Sequence, residues 1–176
     1  FAENVEMEFD YIIIGAGSAG CVLANHLSSD VRNRVLLIEA GPDTGALSLK
    51  MPAAVLSNLT STRHNWAFQG EPEPGLDGRV IQHDRGKTIG GSSSINGMVF
   101  IRGHALDYDG WQQAGCPGWG YADVLPYFKR METYGGGGDE FRGVGGPLHV
   151  HRAEPQDPIT LAFIKAGQEA GYPITN

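Results

Sequence analysis

The stretch Asp10-Tyr-Ile-Ile-Ile-Gly15-Ala-Gly17-Ser-Ala-Gly20 governs the interpretation of this sequence. Its apolar, β-branched run Tyr11–Ile14 predicts a parallel strand buried on both faces. The glycines that follow fit a strand-to-helix turn: the first permits the turn, the second admits a diphosphate, and the third lets the helix pack on the strand. The first amides of that helix, near Ser18 and Ala19, would present N–H groups and the positive end of the helix dipole to an anion.

The context of the glycines makes this motif specific. A predicted helix over residues 18–27 is followed by a second apolar strand, residues 34–38, which ends in Glu39-Ala40-Gly41. Glu39 lies 24 positions after Gly15, an offset suited to an acid that accepts the hydroxyls of an adenosine ribose and repels a 2′-phosphate. The alternative is a surface acid without a ligand. With the glycines in place, the unit predicts a site for FAD or NAD rather than NADP.

The composition is that of a globular protein without a nucleic-acid surface. The 176 residues are 41% hydrophobic and 19% charged, and no apolar run is long enough to span a membrane. Twenty acids against 13 bases give a net charge of −7, and no basic cluster is present, which argues against nucleic acid and anionic membranes as partners. The first residues lack the basic-then-apolar pattern of a signal peptide, so a cytoplasmic protein is expected.

Cysteine and histidine do not indicate a metal or redox centre. Cys21 and Cys116 are too few for a disulfide framework, and their spacing suggests no redox pair. His149 and His151 share one face of a predicted strand, but no third ligand lies near them in the sequence, so no metal site is predicted.

A second dense stretch, Asp84-Arg-Gly-Lys-Thr-Ile-Gly90-Gly91-Ser92-Ser-Ser-Ile-Asn96-Gly-Met98-Val-Phe-Ile-Arg-Gly103, is rich in glycine and serine. Such a backbone can approach a flat ligand closely and offers many hydrogen-bond donors. A flexible polar loop is the alternative. The apolar run 98–101 directly behind would anchor the segment on a core, which favours a ligand clamp.

The remaining chain predicts short elements. Residues 51–58 form at most a short helix, and the runs 66–70 and 79–83 could pair as a hairpin. Trp66 either packs in a core or lines a ring-binding pocket. Beyond them we predict, in order, helices over 107–114 and 121–131, a long mobile loop over 134–146, a strand over 147–151 and a helix over 158–171.

Two features of these elements bear on the fold. In the helix over 121–131, one face carries Val124, Leu125, Phe128 and Met131, which we interpret as core, and Pro126 is tolerable in a first turn. One strand–helix–strand unit does not complete a doubly wound sheet, because further strands are needed to cover the first one. We therefore expect a fragment, or a chain that another polypeptide completes.

Together the two glycine-bearing stretches resemble the glucose–methanol–choline (GMC) family of FAD-dependent oxidoreductases, and choline dehydrogenase-like members in particular. Residues 15–20 with Glu39-Ala40-Gly41 are similar to the family's ADP-binding fingerprint, and residues 86–96, continuing through Phe100, Gly103 and Asp109, fit its first signature. The similarity extends to residues 65–68, 118–128 and 146–150, and so covers nearly the whole chain.

The resemblance implies an α/β fold of the Rossmann-like FAD-binding type, incomplete in this chain, with the start of an α+β substrate domain. On this basis residues 8–110 are the N-terminal part of the FAD-binding domain, including the flavin-contact segment 84–103. Residues 111–146 would be a helical and loop connector with a possible lid, and residues 147–176 the start of the substrate-binding domain.

The resemblance also implies the cofactor-binding residues. Pyrophosphate, ribose and flavin contacts fall on Gly15, Gly17, Ser18, Ala19, Gly20, Glu39, Ala40, Trp66, Gly90, Gly91, Ser92, Asn96, Gly97, Met98 and Val99. Some members tether FAD through a histidine just before the asparagine of the signature. That position here is Ile95, which cannot form the link, so we expect a non-covalent FAD.

The implied reaction is oxidation of an alcohol to an aldehyde or ketone, in which a base takes the hydroxyl proton and the carbon delivers hydride to flavin N5. None of the six histidines lies in the family's catalytic motif, so no catalytic residue is assigned. The expected partners are an alcohol and the remaining C-terminal polypeptide. Alternatives are a GMC oxidase using O2, a flavoprotein with lyase or photodecarboxylase chemistry, a non-catalytic binding piece, and a plain NAD-binding module, for which residues 86–96 have no use.

Overall fold

The computed structural model describes residues 7–154 and 157–173, and its contacts divide the chain into two units between Val99 and Phe100. The predicted domain boundary after residue 110 stays a prediction.

The first unit is built on the strand–helix–strand motif that the glycine spacing predicts. It consists of β1 (Tyr11–Ile14), α1 (Ser18–Ser28) and β2 (Val35–Ile38). The two strands pair in parallel, in register from Tyr11 with Val35 to Ile14 with Ile38. A helix is the usual crossover between parallel neighbours, and it brings the carboxyl ends of both strands to one edge. The α/β prediction for this region is confirmed.

Burial of the first strand on both faces is not observed. Ile12 is 60% exposed and Ile14 is 85% exposed. The reason is the size of the sheet, because within residues 7–154 and 157–173 β1 and β2 pair only with each other. For Ile12 and Ile14 the sequence-based expectation is therefore wrong in this chain.

Short elements complete the first unit. α2 (Leu47–Lys50) leads through a 3-10 turn at Pro52–Ala54 into α3 (Val55–Leu59), and buried Asn58 ties the two helices together by donating to the carbonyl of Ser48 at 2.9 Å. The predicted hairpin is present but short, with β3 (Phe68–Gln69) antiparallel to β4 (Gln82–His83). A further 3-10 turn covers Gly91–Ser94.

The second unit contains α4 (Ala105–Gln113), α5 (Tyr121–Met131), β5 (Glu132–Tyr134), β6 (Leu148–Val150) and α6 (Pro158–Glu169). The ring of Tyr108 contacts those of Trp111, Tyr121 and Phe128 at centroid distances of 5.3, 6.2 and 5.6 Å. These aromatic contacts join α4 to α5.

Helix α5 differs from its prediction in two respects. Val124, Leu125 and Phe128 are half-buried and Met131 is 37% exposed, so the predicted core stripe is only partly covered. Pro126 lies inside the helix rather than in its first turn. A proline there removes one backbone N–H from the helix.

The loop over residues 134–146 joins two strands that pair in parallel, β5 and β6. The sequence predicts β6 but not its partner. Hydrogen bonds hold the loop backbone, from Tyr134 N to Gly143 O at 2.9 Å, from Gly146 N to Glu132 O at 3.0 Å, and from Lys129 Nζ to Asp139 O at 2.7 Å. These bonds connect the loop to α5 and β5, and its mobility stays a prediction.

Across the described ranges, no helix combines the length and the apolar character that a bilayer crossing requires.

Candidate functional site

The glycine turn at the end of β1 leaves the start of α1 open on one side. Gly15 has φ of +95°, a left-handed conformation that favours glycine, and its N–H donates to the carbonyl of Ile38 at 2.7 Å. Gly17 is the N-cap residue, so no side chain caps the first turn, and a Cβ placed on Gly17 would meet nothing within 4 Å. The first amides, at Ser18 and Ala19, therefore face a space that an anion can enter.

Gly20 allows the close packing of α1 on β1. It is buried, and a Cβ placed there would overlap the carbonyl oxygen of Gly15. Any larger residue would push the helix away from the strand.

The carboxylate of Glu39 is fixed against the same turn. Its Oε2 accepts a hydrogen bond from Ala16 N at 2.8 Å, and its Oε1 accepts one from Gly41 N at 2.8 Å. Each carboxylate oxygen can accept further bonds. Glu39 is half-buried and Ala40 is exposed, so the end of β2 presents an accessible acid beside the glycine turn.

The second glycine-rich stretch packs directly on the first. Gly90 N donates to Ala16 O at 2.6 Å. Gly91 is buried with φ of +55°, and a Cβ on it would lie 2.9 Å from Gly17 Cα. Only a residue without a side chain fits at this contact, so the two stretches, far apart in sequence, form one continuous backbone surface.

Thr88 adds a second connection between the two stretches, just after the end of β2. Its side chain is fully buried, and its Oγ1 donates to the carbonyl of Pro42 at 2.7 Å, just beyond Glu39. Gly41 is in close contact with the backbone of Lys87, where a Cβ would overlap the Lys87 carbonyl. Sequence reasoning missed Thr88, because a lone threonine carries no signal for a partner so distant in the chain.

The predicted flavin-contact residues lie within the 3-10 turn at Gly91–Ser94 and directly after it. Ser92 Oγ accepts a bond from Gly86 N at 3.1 Å, and Ile95 is only 3% exposed. Asn96 Oδ1 accepts a bond from Met98 N at 2.9 Å and supports the left-handed backbone of Met98, whose φ is +58°. Asn96, Gly97, Met98 and Val99 are exposed, so their backbone is accessible to a ligand.

A cavity of about 110 Å³ lies beside this segment. One wall comes from residues 93–98 and the other from residues 49–58, the helix and turn region after β2. The sequence analysis assigned residues 49–58 no role in a binding site.

Trp66 is 43% exposed and stacks on Phe68 with ring centroids 5.7 Å apart and planes 6° apart. The ammonium of Lys87 lies 4.5 Å from the centroid of the Trp66 ring, within cation–π range. Of the two alternatives for Trp66, packing in a core is not what the structure shows. Its role as a cofactor contact stays a prediction.

Buried Asn65 positions the backbone around Trp66. Its Nδ2 donates to Asp84 Oδ1 at 2.7 Å, and its Oδ1 accepts from Ala67 N and Arg85 N, both at 3.0 Å. These bonds hold Ala67 in a left-handed conformation with φ of +48°. Hydrogen bonds from the side chains of Asn65 and, next, Gln82 hold the pKa of Asp84 below its usual range.

The second unit contains a buried ion cluster of Glu132, Arg102 and Arg142. Glu132 is fully buried and lies 2.6 Å from Arg102 Nη2 and 3.3 Å from Arg142 Nε, and its Oε1 accepts a bond from Gly143 N at 2.9 Å. Sequence reasoning missed this cluster, since an acid directly after a helix is usually a surface residue.

His149 and His151 are exposed, and within the described part of the chain no three His, Cys, Asp or Glu residues are grouped as a metal site requires.

Relatives and solved structures place this geometry in a family. The GMC oxidoreductase family model matches residues 9–176. The chain is 54% identical over 171 residues to an oxygen-dependent choline dehydrogenase of Sinorhizobium fredii, an alignment that covers 97% of this chain and 31% of the relative. It is 52% identical over 170 residues to the oxygen-dependent choline dehydrogenase of Brucella anthropi, with 96% of this chain and 31% of the relative covered. It is similar to the crystal structure of pyridoxine 4-oxidase from Mesorbium loti, with TM-score 0.84 and 40% identity over 94% of this chain and 33% of that one.

A formate oxidase structure aligns with TM-score 0.80 and 28% identity over 96% of this chain and 31% of that one. The chain thus spans about a third of the length of the relatives it matches. Since the family model covers almost every residue, including both glycine-rich stretches, the chain belongs to the GMC oxidoreductase family.

Proposed function

We propose that this chain binds FAD and that the protein containing it oxidises an alcohol to an aldehyde or ketone. The observation that carries the proposal is the contact of Gly90 and Gly91 with Ala16 and Gly17, which makes one surface of the two stretches. A nucleotide-binding turn alone would serve NAD equally well. The attached second stretch extends the surface beyond the nucleotide, as a flavin dinucleotide requires.

The residues present fit FAD at its ADP end. The open side of Gly17 leaves room for a pyrophosphate against the amides of Ser18 and Ala19, where helix dipole and N–H groups favour negative charge. Glu39 and Ala40 would contact the adenosine ribose, because the Glu39 carboxylate is fixed beside the turn with acceptor capacity left for ribose hydroxyls.

The exposed backbone from Asn96 to Val99, with Ser92, would hold the flavin and its ribityl chain, and Trp66 would lie near the cofactor. The left-handed Met98 supports this assignment, since backbone strain in a non-glycine residue tends to occur at ligand-binding positions. FAD would be bound without a covalent link, because the aliphatic side chain of Ile95 has no group that could bond to it.

Bound flavin supplies a hydride acceptor for alcohol oxidation. This chain's residues would bind and orient the cofactor, and no catalytic residue is assigned to them. The base that removes the hydroxyl proton would belong to the remaining polypeptide. The names of the relatives, two choline dehydrogenases and a pyridoxine 4-oxidase, support oxidation over lyase or decarboxylase chemistry.

The exposed apolar face of β1 supports a role for that remaining polypeptide in the fold. Parallel strands are normally covered on both faces, and Ile12 and Ile14 are not. We expect the rest of the protein to cover them, and we expect the protein in the cytoplasm, which cell fractionation would test.

The experiment is a flavin assay on the full-length protein. We expect a flavin absorbance spectrum, release of free FAD on denaturation, and anaerobic bleaching of the flavin by an alcohol. A colourless protein that does not take up FAD would refute the cofactor assignment. Yellow colour that stays with the denatured protein would refute the non-covalent link, and product formation without bleaching would refute oxidation.

A further inference from the structure

Arg102 lies near the end of segment 84–103, which the sequence analysis assigned to the flavin, and its side chain is buried. That side chain is 9% exposed, and its Nη2 lies 2.6 Å from Glu132 Oε1. Its Nη1 donates to the carbonyl of Phe141 at 2.6 Å, and its Cζ lies 5.2 Å from the centroid of the Phe128 ring. One side chain therefore ties the segment to α5, to β5 and to the loop that follows β5.

Phe100 is held by the same ion cluster. Its ring is half-buried, and Arg142 Cζ lies 6.0 Å from the ring centroid. Ile101, between the two anchored residues, is 85% exposed. Within the described chain the segment is thus held at Phe100 and Arg102, whereas the sequence analysis expected the apolar run 98–101 as a whole to anchor it.

We propose that Arg102, held by Glu132, is a positioning residue for FAD, because it fixes the carboxyl-terminal end of the flavin-contact backbone. The proposal rests on the function proposed above, in which residues 96–99 contact the flavin. Arg102 follows Val99 by three residues, and chain geometry alone keeps their Cα atoms within about 11 Å of each other. A fixed Arg102 therefore restricts the positions that this backbone can take.

The expected effect on binding comes from conformational entropy. A backbone that is free before it binds a ligand loses entropy for each residue that the ligand orders. A backbone that is already restricted loses less, and the ligand is bound more tightly. Loss of the Arg102 contacts should therefore weaken FAD binding, although Arg102 is not among the residues proposed to contact FAD. It should also change where the backbone lies against the flavin ring.

The variant Arg102→Met tests the proposal in the full-length holoenzyme. Glu132 keeps Arg142 as a partner at 3.3 Å, so the variant should fold, which far-ultraviolet circular dichroism checks. We expect equilibrium dialysis to give a Kd for FAD about tenfold higher than that of the wild type, which corresponds to about 1.4 kcal/mol. We also expect a changed visible circular dichroism spectrum of the flavin at saturating FAD, because this signal depends on the protein groups around the ring. A general loss of stability would not change that spectrum.

Lys129→Met is the matched control. Lys129 Nζ donates to the carbonyl of Asp139 at 2.7 Å, so the substitution removes a cationic donor to the same loop in a bond that does not involve residues 100–102. It should leave the Kd for FAD within about twofold of the wild-type value and the flavin spectrum unchanged. Arg102→Lys keeps the charge but lacks the planar fork of the guanidinium, and it should raise the Kd about threefold.

A folded Arg102→Met variant whose Kd stays within about twofold of the wild-type value, or whose flavin spectrum is unchanged, overturns this inference while the proposed function stands. An equal rise of the Kd in Lys129→Met also overturns it, because any loosening of the loop would then weaken FAD binding. Should Arg102→Met not fold, Arg102→Lys decides by the same two measurements. A wild type that binds no FAD overturns the proposed function and the inference with it.

Discussion

Replacement of Glu132 by glutamine tests whether the buried ion cluster holds the second unit together. The variant keeps a side-chain oxygen that can accept the bond from Gly143 N. It removes the negative charge that faces Arg102 at 2.6 Å and Arg142 at 3.3 Å. The test therefore isolates the charge, with little change in shape.

The expected loss in the free energy of unfolding follows from the burial of the two charged side chains. The Arg102 side chain is only 9% exposed and that of Glu132 is not exposed at all, so neither is well solvated. Removal of one partner of such a pair leaves an uncompensated buried charge, at a cost of about 3–5 kcal/mol. The cation–π contacts of Arg102 with Phe128, at 5.2 Å, and of Arg142 with Tyr134, at 4.2 Å, remain and keep the expected loss toward the lower end.

The assay is urea unfolding of the purified full-length protein, followed by circular dichroism. Arg32→Ala serves as control, because Arg32 pairs with Asp30 at 2.6 Å on the surface and should give no measurable change. Combining Glu132→Gln with Arg102→Met should lose less than the sum of the single changes, since the stranded cation is gone. A loss below about 1 kcal/mol for Glu132→Gln would refute the reasoning, because it would show that the cluster is hydrated or easily rearranged.

Three further predictions concern the first unit. Gly91→Ala should lower FAD content severalfold, because the methyl group would press on Gly17 Cα at 2.9 Å from a left-handed backbone; full flavin occupancy in a folded variant would contradict this. Thr88→Val should lower the free energy of unfolding by about 1–2 kcal/mol in urea titrations, since it deletes a buried hydroxyl bond of 2.7 Å; an unchanged midpoint would argue against it. Asp84 has a lowered pKa because its carboxylate accepts a hydrogen bond from Asn65. Its contribution to stability is therefore present above about pH 4 and is lost as the pH falls through the folded-state pKa. Plots of unfolding free energy against pH for the wild type and Asp84→Asn should converge below about pH 4, and parallel plots would exclude the effect.

The first unit could be predicted from sequence because its determinants are local. Gly15, Gly17 and Gly20 act within one turn, and the apolar run of β1 sits directly before them. Gly15 has a left-handed backbone, and a side chain on Gly20 would overlap the Gly15 carbonyl, so these two positions require glycine and their spacing itself carries the information. The parallel pairing of β1 with β2 follows from the helix between them.

The second unit was predicted less well because its determinants are distant in sequence. Glu132 forms ion pairs with Arg102 and Arg142, which are distant in sequence and approach it only in the folded chain. The same holds for β5, whose three residues follow α5 without a break and pair with a strand beyond the loop. A short run such as Glu132–Tyr134 has no periodicity that could distinguish it from a fraying helix end.

The same distinction separates the glycine-rich surface from the wall of the cavity beside it. Where the backbone meets another backbone, as at Gly20 and Gly91, a side chain would overlap its neighbour, and the glycines that avoid this are visible in the sequence. The wall made by residues 49–58 combines aliphatic side chains with Lys50 and Asn58, and many sequences could form such a wall, so it leaves no motif. A backbone surface can therefore be predicted from the glycines of a single stretch, whereas a wall of side chains becomes apparent only when the folded chain brings its elements together.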